Sequence, residues 1–441
     1  QCAKTGSQVF PGDPQLSDLW GMHNSNDVDI DAPEAWSIHT GTGGNVIVGV
    51  IDTGVDLNHE DLRNNLWTNP GEIPGDGIDN DNNGFVDDVH GYDFYDDDGD
   101  PSDVNGHGTH CAGTIGAEGD NGVGVAGVSW RPKIMALRFI GPDGGLTSDA
   151  IGAIDYAVQM GASFTSNSWG GGGSSLALKS AIEAAHDAGQ LFVVAAGNDG
   201  KDNDIEPMYP CNYDVPNVLC VASITSSEDL SGFSNWGAQS VHLAAPGSYI
   251  FSTYPSNQYN TLSGTSMATP HVAGAAALVL DYVPQLTHLE LREILLSSGD
   301  VVDKLVGMIS TGARLNVHSA LLQASSGAWA RLPDRDDGSP GNLLVVAGNG
   351  GSGDFTIELG GTRVSSGEYR ASLKISAGRL TRWIDVIMTL HEFREAPDVG
   401  ALGVDFSDAD GRQGFISGAL TITRAVDESR ISQYRVYWGD S

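Results

Sequence analysis

Apolar residues occur in short blocks along the first three quarters of the chain, and segments of helical pattern separate the blocks. Mostly apolar runs at 46–51, 134–140, 191–196 and 218–224 are typical of strands buried on both faces. Alanine-rich patterns of helical period occupy 149–161, 175–189, 266–283 and 287–298. This alternation predicts an α/β fold, in which a doubly wound, mostly parallel sheet is covered by helices on both faces.

The pattern changes after about residue 324. Residues 325–341 combine Ser, Gly, Asp and Pro in the way typical of a polar linker. Beyond them, apolar and polar positions alternate at strand period in 355–359, 369–375 and 383–387. We therefore predict an N-terminal arm over 1–12, an α/β domain over 13–324, a linker over 325–341 and a small all-β, sandwich-like module over 342–441.

The negative charge is concentrated in the α/β part. Residues 1–325 contain 10 Lys and Arg against 41 Asp and Glu, a net charge of −31, whereas residues 326–441 have a net charge of −4. A domain this acidic repels polyanions, which argues against nucleic acids and anionic membrane surfaces as partners. No apolar run is long enough to span a membrane. The composition leaves open whether the acidity reflects a saline habitat or only solubility.

Three segments rich in small residues contain a candidate nucleophile, base and acid. Ser266 lies on a turn in SGTSMATPHVAG (263–274), where we expect Pro270 to fall in the first turn of the following helix. His107 lies between glycines ahead of another small-residue helix, and Asp52 follows the apolar run 46–51. Open α/β sheets place functional groups at such strand ends. A serine hydroxyl needs a base, and the base needs an orienting group. Alone, the aspartate could be a cap and the histidine structural.

Together with VVAAGND at 193–199, these segments resemble the motifs of the subtilisin-like serine proteases, in the order Asp, His, Ser. The resemblance covers about residues 13–324. It implies a subtilisin-like fold and a secreted serine endopeptidase that acts through an acyl-enzyme. Ser266 would attack the peptide carbonyl, His107 would transfer the proton, and Asp52 would orient and stabilise the imidazole.

The resemblance also implies an oxyanion hole and a substrate cleft. Asn198 would donate its side-chain amide to the oxyanion, together with the backbone N–H of Ser266. The implied substrate-binding residues are two backbone segments and two pocket glycines: Gly144, Gly145, Ser168, Trp169, Gly170 and Gly197. Trp169 and the glycines could instead be core and turn residues. Leu146 stands where many relatives have an aromatic lid, so the preference of that subsite stays open.

Residues 76–88 (DGIDNDNNGFVDD) place oxygen-bearing side chains at alternate positions before Gly84, as at the start of an EF-hand loop. The twelfth position is His90 rather than Glu, so we predict a calcium loop that only begins like an EF-hand. The ligands implied by resemblance are Asp79, Asp81, Asn83, the Phe85 carbonyl and Asp88. A second Ca²⁺ site is implied at Asp13, Asp61 and Asn121. A solvated acidic turn is the alternative for the loop.

Four cysteines favour an oxidising compartment. Cys211 and Cys220 are nine residues apart around a turn, so a disulfide between them is the favoured pairing. Cys2 could be free, paired with Cys111 or bonded to another molecule, and relatives with a cysteine at the position of Cys111 keep it as a buried thiol. The given sequence starts at Gln1 and shows neither Met nor an apolar leader there, so we expect a processed mature form or a trimmed one. Resemblance implies a pro-region that inhibits the enzyme and aids its folding, polypeptide substrates and a monomer.

Two rival functions fit less well. A binding protein on an inactive protease scaffold is disfavoured because Asp52, His107, Ser266 and Asn198 are all present. An esterase of the α/β-hydrolase type would have a Gly-x-Ser-x-Gly elbow and the order Ser, Asp, His, which the chain lacks. In the C-terminal module, the stretch from 416 to 439 weakly resembles the opening strands of a fibronectin-III-like repeat that is cut short. Cleavage preference is not fixed by the sequence.

Overall fold

The computed structural model describes residues 8–44 and 46–325, together with seven strands between 329 and 422. Two compact units divide the chain, Gln1–Gly327 and Ala328–Ser441. The predicted bounds at 12, 324 and 341 stay predictions. Most of the linker, the end of the fibronectin-like stretch and Cys2 lie outside the described residues.

The first unit is built from alternating strands and helices. Its strands are β1 Ile47–Asp52, β2 Gly91–Asp93, β3 Lys133–Arg138, β4 Ile140–Gly141, β5 Gly144–Gly145, β6 Phe164–Asn167, β7 Leu191–Ala195, β8 Val218–Ile224, β9 Leu243–Pro246, β10 Ile250–Tyr254, β11 Gln258–Leu262, β12 Asp300–Val301 and β13 Ala313–Arg314. Its α-helices are α1 Ala32–Trp36, α2 His107–Gly116, α3 Thr147–Gln159, α4 Leu176–Asp187, α5 Thr265–Tyr282, α6 His288–Ser297 and α7 Val317–Ser325, and Leu16–Asp18 is a 3₁₀ turn.

Nine strands form one sheet in the order β12-β13-β9-β8-β7-β6-β1-β3-β2. Every pair in it is parallel except β12 with β13. The strand order reverses between β1 and β6. Strands β3 and β2 lie on one side of β1, and β6, β7, β8 and β9 follow one another on the other side. Crevices outside the carboxyl ends of strands at such a switch point are where open α/β sheets bind ligands. The predicted α/β fold with a mostly parallel sheet is confirmed.

Helix α5 is buried from Thr265 to Val279. Its start corrects one expectation: Pro270 is the sixth residue of the helix, not part of its first turn. A proline there cannot donate to the carbonyl four residues earlier, which belongs to Ser266. That carbonyl accepts instead from Ser168 Oγ at 2.9 Å and from Cys111 Sγ at 3.4 Å. Two side chains therefore replace the bond that the proline removes.

The described parts of the second unit are all strands. They are β14 Trp329–Arg331, β15 Leu343–Val345, β16 Thr356–Ser365, β17 Glu368–Ala377, β18 Leu380–Thr389, β19 Val404–Asp408 and β20 Gly418–Ile422. Strands β16, β17 and β18 form an antiparallel sheet, and the other four form two antiparallel pairs. Across all the described residues, no helix is long and apolar enough to cross a membrane.

Candidate active site

Asp52 and His107 meet at the carboxyl end of strand β1. Asp52 is its last residue, and His107 is the first residue of α2. His107 Nδ1 lies 2.6 Å from Asp52 Oδ1, which also accepts from the Thr53 N–H at 2.8 Å. Glycine is needed beside the histidine, because a Cβ at Gly108 would lie 2.1 Å from the Gly54 carbonyl oxygen. The close approach of α2 to β1 thus brings the imidazole to the carboxylate.

The charge state of His107 is set by two opposing effects. Burial lowers the pKa of His107, whereas the Asp52 carboxylate, through its charge and its hydrogen bond, raises it, and the net pKa lies above the ordinary value. Asp52 itself is fully buried. An imidazole in this position can accept a proton and hold it as a stabilised cation.

Asp103 is a site residue that the sequence analysis missed. Its carboxylate accepts from the backbone N–H groups of Gly106 and Thr109, each at 2.9 Å, and from the Thr53 hydroxyl at 3.0 Å. It therefore joins the loop before α2 to the end of β1. In the sequence, the only indication of this role is an acidic residue four positions before His107.

Ser266 is the second residue of α5, so its hydroxyl lies at a helix N-terminus, where the potential is positive. Its Oγ donates to the Ser168 carbonyl at 3.1 Å. Both Ser266 and His107 belong to the described part, and no hydrogen bond joins their side chains there. Such contacts commonly form only when substrate is bound. Ser266 is 8 % exposed, which leaves a narrow approach to the hydroxyl.

Asn198 follows β7 and is fixed to the nucleophile turn. Its Oδ1 accepts from the Thr265 N–H at 2.8 Å and from the Thr265 hydroxyl at 3.0 Å. A Cβ on Gly264 would lie 3.6 Å from Asn198 Nδ2. The carbonyl end of the side chain is thus occupied by Thr265, and its N–H₂ end remains as a donor beside Ser266.

The predicted substrate segments differ in exposure and packing. Gly144 and Gly145 form the exposed strand β5, paired only with β4 within the described residues. Ser168 is buried, and the Trp169 indole packs against Phe139, with ring centroids 5.0 Å apart. The Trp169 side chain therefore belongs to the core. Gly170 is exposed and Gly197 half-buried, as wall residues of a pocket would be.

The structure describes three of the four cysteines. Cys211 and Cys220 form a disulfide with Cα atoms 5.2 Å apart, the pairing that their spacing favours. Cys111 is a free, buried thiol, and burial raises its pKa well above the ordinary value. A neutral thiol of this kind is not a nucleophile.

The acidic loop brings some of its predicted ligands together. Asp81 and Asp88 have carboxylate oxygens within 4.8 Å of each other and of a third carboxylate, that of Glu72. Asn83 Nδ2 donates to Asp88 Oδ2 at 2.7 Å. Asp79 instead accepts from the backbone N–H groups of Asn83 and Gly84, at 3.1 and 2.9 Å. Phe85 places its ring among Tyr92, Phe94 and Tyr156.

Glu72 was missed by the sequence analysis, because it lies outside the loop motif. Its Oε1 accepts from the Asn80 N–H at 2.8 Å, but its Oε2 is buried without a hydrogen-bond partner. An orphaned buried carboxylate oxygen beside two other carboxylates fits a cation. The donors are all oxygens, as Ca²⁺ prefers.

The second predicted group is also assembled. Asn121 Nδ2 donates to Asp61 Oδ1 at 2.8 Å, and the Asn121 N–H donates to Asp13 Oδ1 at 3.3 Å. Burial raises the pKa of Asp61 to about 7 and also raises the pKa of Asp13. The two carboxylates supply the oxygen donors that Ca²⁺ prefers, while Asn121 Oδ1 accepts from the Val123 N–H at 2.7 Å.

Comparison with known proteins decides the family. The profile of the subtilase family matches residues 43–323, more than half of the chain. The chain is a subtilase. It is 41% identical to thermitase of Thermoactinomyces vulgaris over 251 residues, which cover 57% of this chain and 79% of thermitase. It is 37% identical to subtilisin-like protease 1 of Plasmodium vivax over 291 residues, which cover 62% of this chain and 46% of that longer protein.

A solved structure agrees with these relatives. A protease from Pseudoalteromonas arctica is 30% identical, with a TM-score of 0.60, and the match covers 72% of this chain and all of that one. This subtilase is therefore a serine endopeptidase, an enzyme class that hydrolyses peptide bonds in polypeptides with a catalytic triad. Subtilases commonly bind calcium and are typically extracellular.

Proposed function

We propose that this subtilase is a secreted endopeptidase whose triad is Asp52, His107 and Ser266, with Asn198 in the oxyanion hole. The 2.6 Å contact between His107 Nδ1 and Asp52 Oδ1 carries the assignment. This contact fixes one ring nitrogen and leaves Nε2 to receive a proton. The Asn198 amide and the N-terminus of α5 adjoin the same corner.

The chemistry follows from these positions. As Ser266 Oγ bonds to the peptide carbonyl carbon, its proton passes to His107 Nε2, and the carbonyl electron pair moves onto oxygen. Asn198 Nδ2 and the Ser266 N–H donate to that oxyanion. When the C–N bond breaks, the imidazolium gives its proton to the leaving amine. Water, activated by the same imidazole, then hydrolyses the acyl-enzyme.

Substrate would bind as an extended strand between the two segments. The exposed strand β5 (Gly144 and Gly145) would pair with the peptide on one side, and the backbone of Ser168 to Gly170 would pair with it on the other. Pairing of this kind recognises the peptide backbone whatever its sequence. The side chain that precedes the scissile bond would enter between Gly170 and Gly197.

Calcium would stabilise the enzyme at two places. Asp79, Asp81, Asn83, the Phe85 carbonyl and Asp88 are the proposed loop ligands, with Glu72 added because its orphaned oxygen adjoins them. Asp13, Asp61 and Asn121 are proposed for the second ion. We further propose a monomer that is made with an N-terminal pro-region.

Replacing the nucleophile tests the assignment. Ser266→Ala is expected to lower kcat by at least about 10⁴-fold, because the acyl-enzyme cannot form. Peptide-anilide hydrolysis would measure this, and thermal unfolding would show that the fold persists. Ser226→Ala, a change at an exposed serine, is the control and should retain full activity. Turnover by pure Ser266→Ala at the native rate would refute the triad.

A further inference from the structure

The tyrosine at the end of β10 packs against the residue that directly precedes the proposed base. A Cβ on Gly106 would collide with the Tyr254 ring, so the ring lies directly on the Gly106 main chain. Gly106 has a φ of 105°, a conformation that residues with a side chain rarely adopt. It is also the N-cap of α2, and no side chain caps the helix there. Groups outside the helix must therefore fix where α2 begins, and with it the position of His107.

The Tyr254 hydroxyl holds the residue before Gly106. It donates to the Asn105 carbonyl at 3.0 Å. Asn105 Oδ1 in turn accepts from the His107 N–H at 3.3 Å. The ring and the hydroxyl of one side chain thus contact the two residues that precede His107. Asp103, which is buried, accepts from the Gly106 N–H at 2.9 Å, so two side chains hold this loop.

The hairpin that carries Tyr254 is bonded along α2. Strand β10 pairs with β11 over its whole length. The Ser252 hydroxyl donates to the His110 carbonyl of α2 at 2.8 Å. The Thr253 hydroxyl donates to the Thr109 carbonyl of the same helix at 2.7 Å. All four of these residues are buried. The bonds fix the strand on the helix, so the tyrosine at its end keeps one position relative to α2.

The imidazole of His107 depends on this support, because its own contacts leave it some freedom. Asp52 holds Nδ1, but within the described residues no side-chain hydrogen bond joins His107 to Ser266. The His107 side chain is 28 % exposed, so close packing does not fix the ring either. The direction of Nε2 therefore depends on where the backbone places the Cα of His107. A shift of about 1 Å in such a group can reduce a rate about 10²-fold.

We propose that Tyr254 is a positioning residue, which holds the start of α2 so that His107 Nε2 faces Ser266. The inference rests on the proposed function, because it takes His107 as the base and Ser266 as the nucleophile. Tyr254 acts through the main chain of the loop and takes no part in the proton transfers. Its hydroxyl and its ring contribute separately, since the hydroxyl binds one residue of the loop and the ring packs on the next.

Two substitutions separate the hydroxyl from the ring. Tyr254→Phe removes one hydrogen bond and should lower kcat about three- to tenfold, the usual effect of one such bond. Tyr254→Ala also removes the ring and should lower kcat at least about 30-fold, because the loop can then shift. KM should change less than about twofold in both variants, since a group that only positions the base acts on the chemical step. Tyr249→Phe and Tyr249→Ala, at an exposed tyrosine that directly precedes β10, are the controls and should keep the native kcat.

The substrate would be a peptide anilide, in which no amino acid follows the scissile bond. A contact between Tyr254 and the leaving side of a polypeptide would therefore not affect its hydrolysis. A serine-directed acylating inhibitor would count the working sites, and kcat would be expressed per titrated site, so that a loss of folded enzyme does not lower it. The rate at which this inhibitor acylates the variants should fall in parallel with kcat, because that step also needs His107 as base.

His107→Ala separates this role from the triad assignment. If His107→Ala is inactive and Tyr254→Ala keeps the native kcat per titrated site, the positioning role is wrong while the triad stands. If His107→Ala keeps the native activity, both are wrong. Normal hydrolysis of the anilide by Tyr254→Ala, with a raised KM for long polypeptides, would assign Tyr254 to substrate binding and overturn the positioning role. If Tyr254→Ala does not fold, Tyr254→Leu decides: a lower kcat per titrated site supports the role, and an unchanged value overturns it.

Discussion

At the scale of single residues, the site depends on a balance at His107 that motif recognition does not reveal. The sequence identifies the histidine and its orienting acid, but not whether burial or the carboxylate determines its proton affinity. In the structure the Asp52 carboxylate outweighs the burial, so the pKa of His107 is raised. The consequence is a base that becomes protonated at a higher pH than an unpaired buried histidine would.

This balance predicts how activity depends on pH. Neutral His107 is the active form, so kcat/KM must fall as the pH falls through the pKa of His107. Because that pKa is raised, this acid limb of the pH profile should lie at a higher pH than the limb of an ordinary histidine, whose pKa is about 6.5. In Asp52→Asn, burial remains but the carboxylate is gone. The acid limb should then move to lower pH, while kcat drops by about 10⁴-fold.

The measurement is kcat/KM for one peptide anilide from about pH 4 to about pH 10, which spans the titration of an imidazole base. Asp143→Asn, which alters an exposed carboxylate, serves as the control and should keep the native profile. An acid limb at the same pH in native enzyme and Asp52→Asn would contradict the assigned pairing.

At the scale of elements, the sequence predicts best where burial produces a continuous apolar run. The run 218–224 matches β8 residue for residue, and 191–196 differs from β7 by one position. Strand β6 has no such run, because three of its four residues are polar. Among these buried polar side chains, Asn167 has a tertiary bond, because its Nδ2 donates to the Val193 carbonyl at 3.1 Å. Such partners cannot be seen in a local pattern.

The same limit applies within the site. The triad types, Asn198 and the acidic loop are evident as local motifs, and the structure brings Asp52 to His107 and Asp81 to Asp88. Glu72 and Asp103 are not evident, because their roles come from contacts with residues that the fold brings near. The wrong expectation for Pro270 has the same cause: the compensating donors are Ser168, directly after β6, and Cys111 of α2, and neither lies in α5.

That compensation yields a prediction for α5. Ser168→Ala removes the hydroxyl that donates to the Ser266 carbonyl and leaves the Cys111 thiol, a weak donor. The free energy of unfolding should fall by about 1–3 kcal/mol, the usual result of leaving a buried acceptor poorly satisfied. Urea unfolding of inhibitor-blocked enzyme at fixed Ca²⁺ would measure it, with Ser226→Ala as the control. Equal stability of native enzyme and Ser168→Ala would show that Pro270 needs no such compensation.

At the scale of the whole molecule, the negative charge of the subtilase unit includes carboxylates that are buried as well as carboxylates on the surface. The unit has a net charge of −31 over residues 1–325, and its buried carboxylates include the two groups around Asp88 and Asp61. Burial raises the pKa of both residues, which means that their charged forms are disfavoured without a cation. Bound Ca²⁺ would reverse this preference locally, whereas dissolved salt would only screen surface charges.

Removal of calcium should therefore lower the unfolding temperature by several degrees. An ion bound only by the folded state at 100 times its Kd contributes about 2.7 kcal/mol. Differential scanning calorimetry of inhibitor-blocked enzyme, with Ca²⁺ or with excess chelator, would measure the shift. The double variant Glu72→Gln, Asp81→Asn should lose the part of the calcium-dependent rise in unfolding temperature that comes from the loop site. Asp61→Asn should lose the part that comes from the second site. Asp143→Asn, the exposed control, should behave like native enzyme.

Varying the ionic strength distinguishes Ca²⁺ bound at these sites from general screening of the surface charges. NaCl that matches the ionic strength of the calcium buffer should restore little of the unfolding temperature in chelator, because screening acts mainly between exposed charges. Buried carboxylates such as Asp61 and Asp88 need a ligand in direct contact, since neither is accessible to a diffuse ion atmosphere. If NaCl restores the whole shift, the stabilisation comes from the net charge of the unit. If the chelator causes no shift at all, structural calcium is absent from the enzyme.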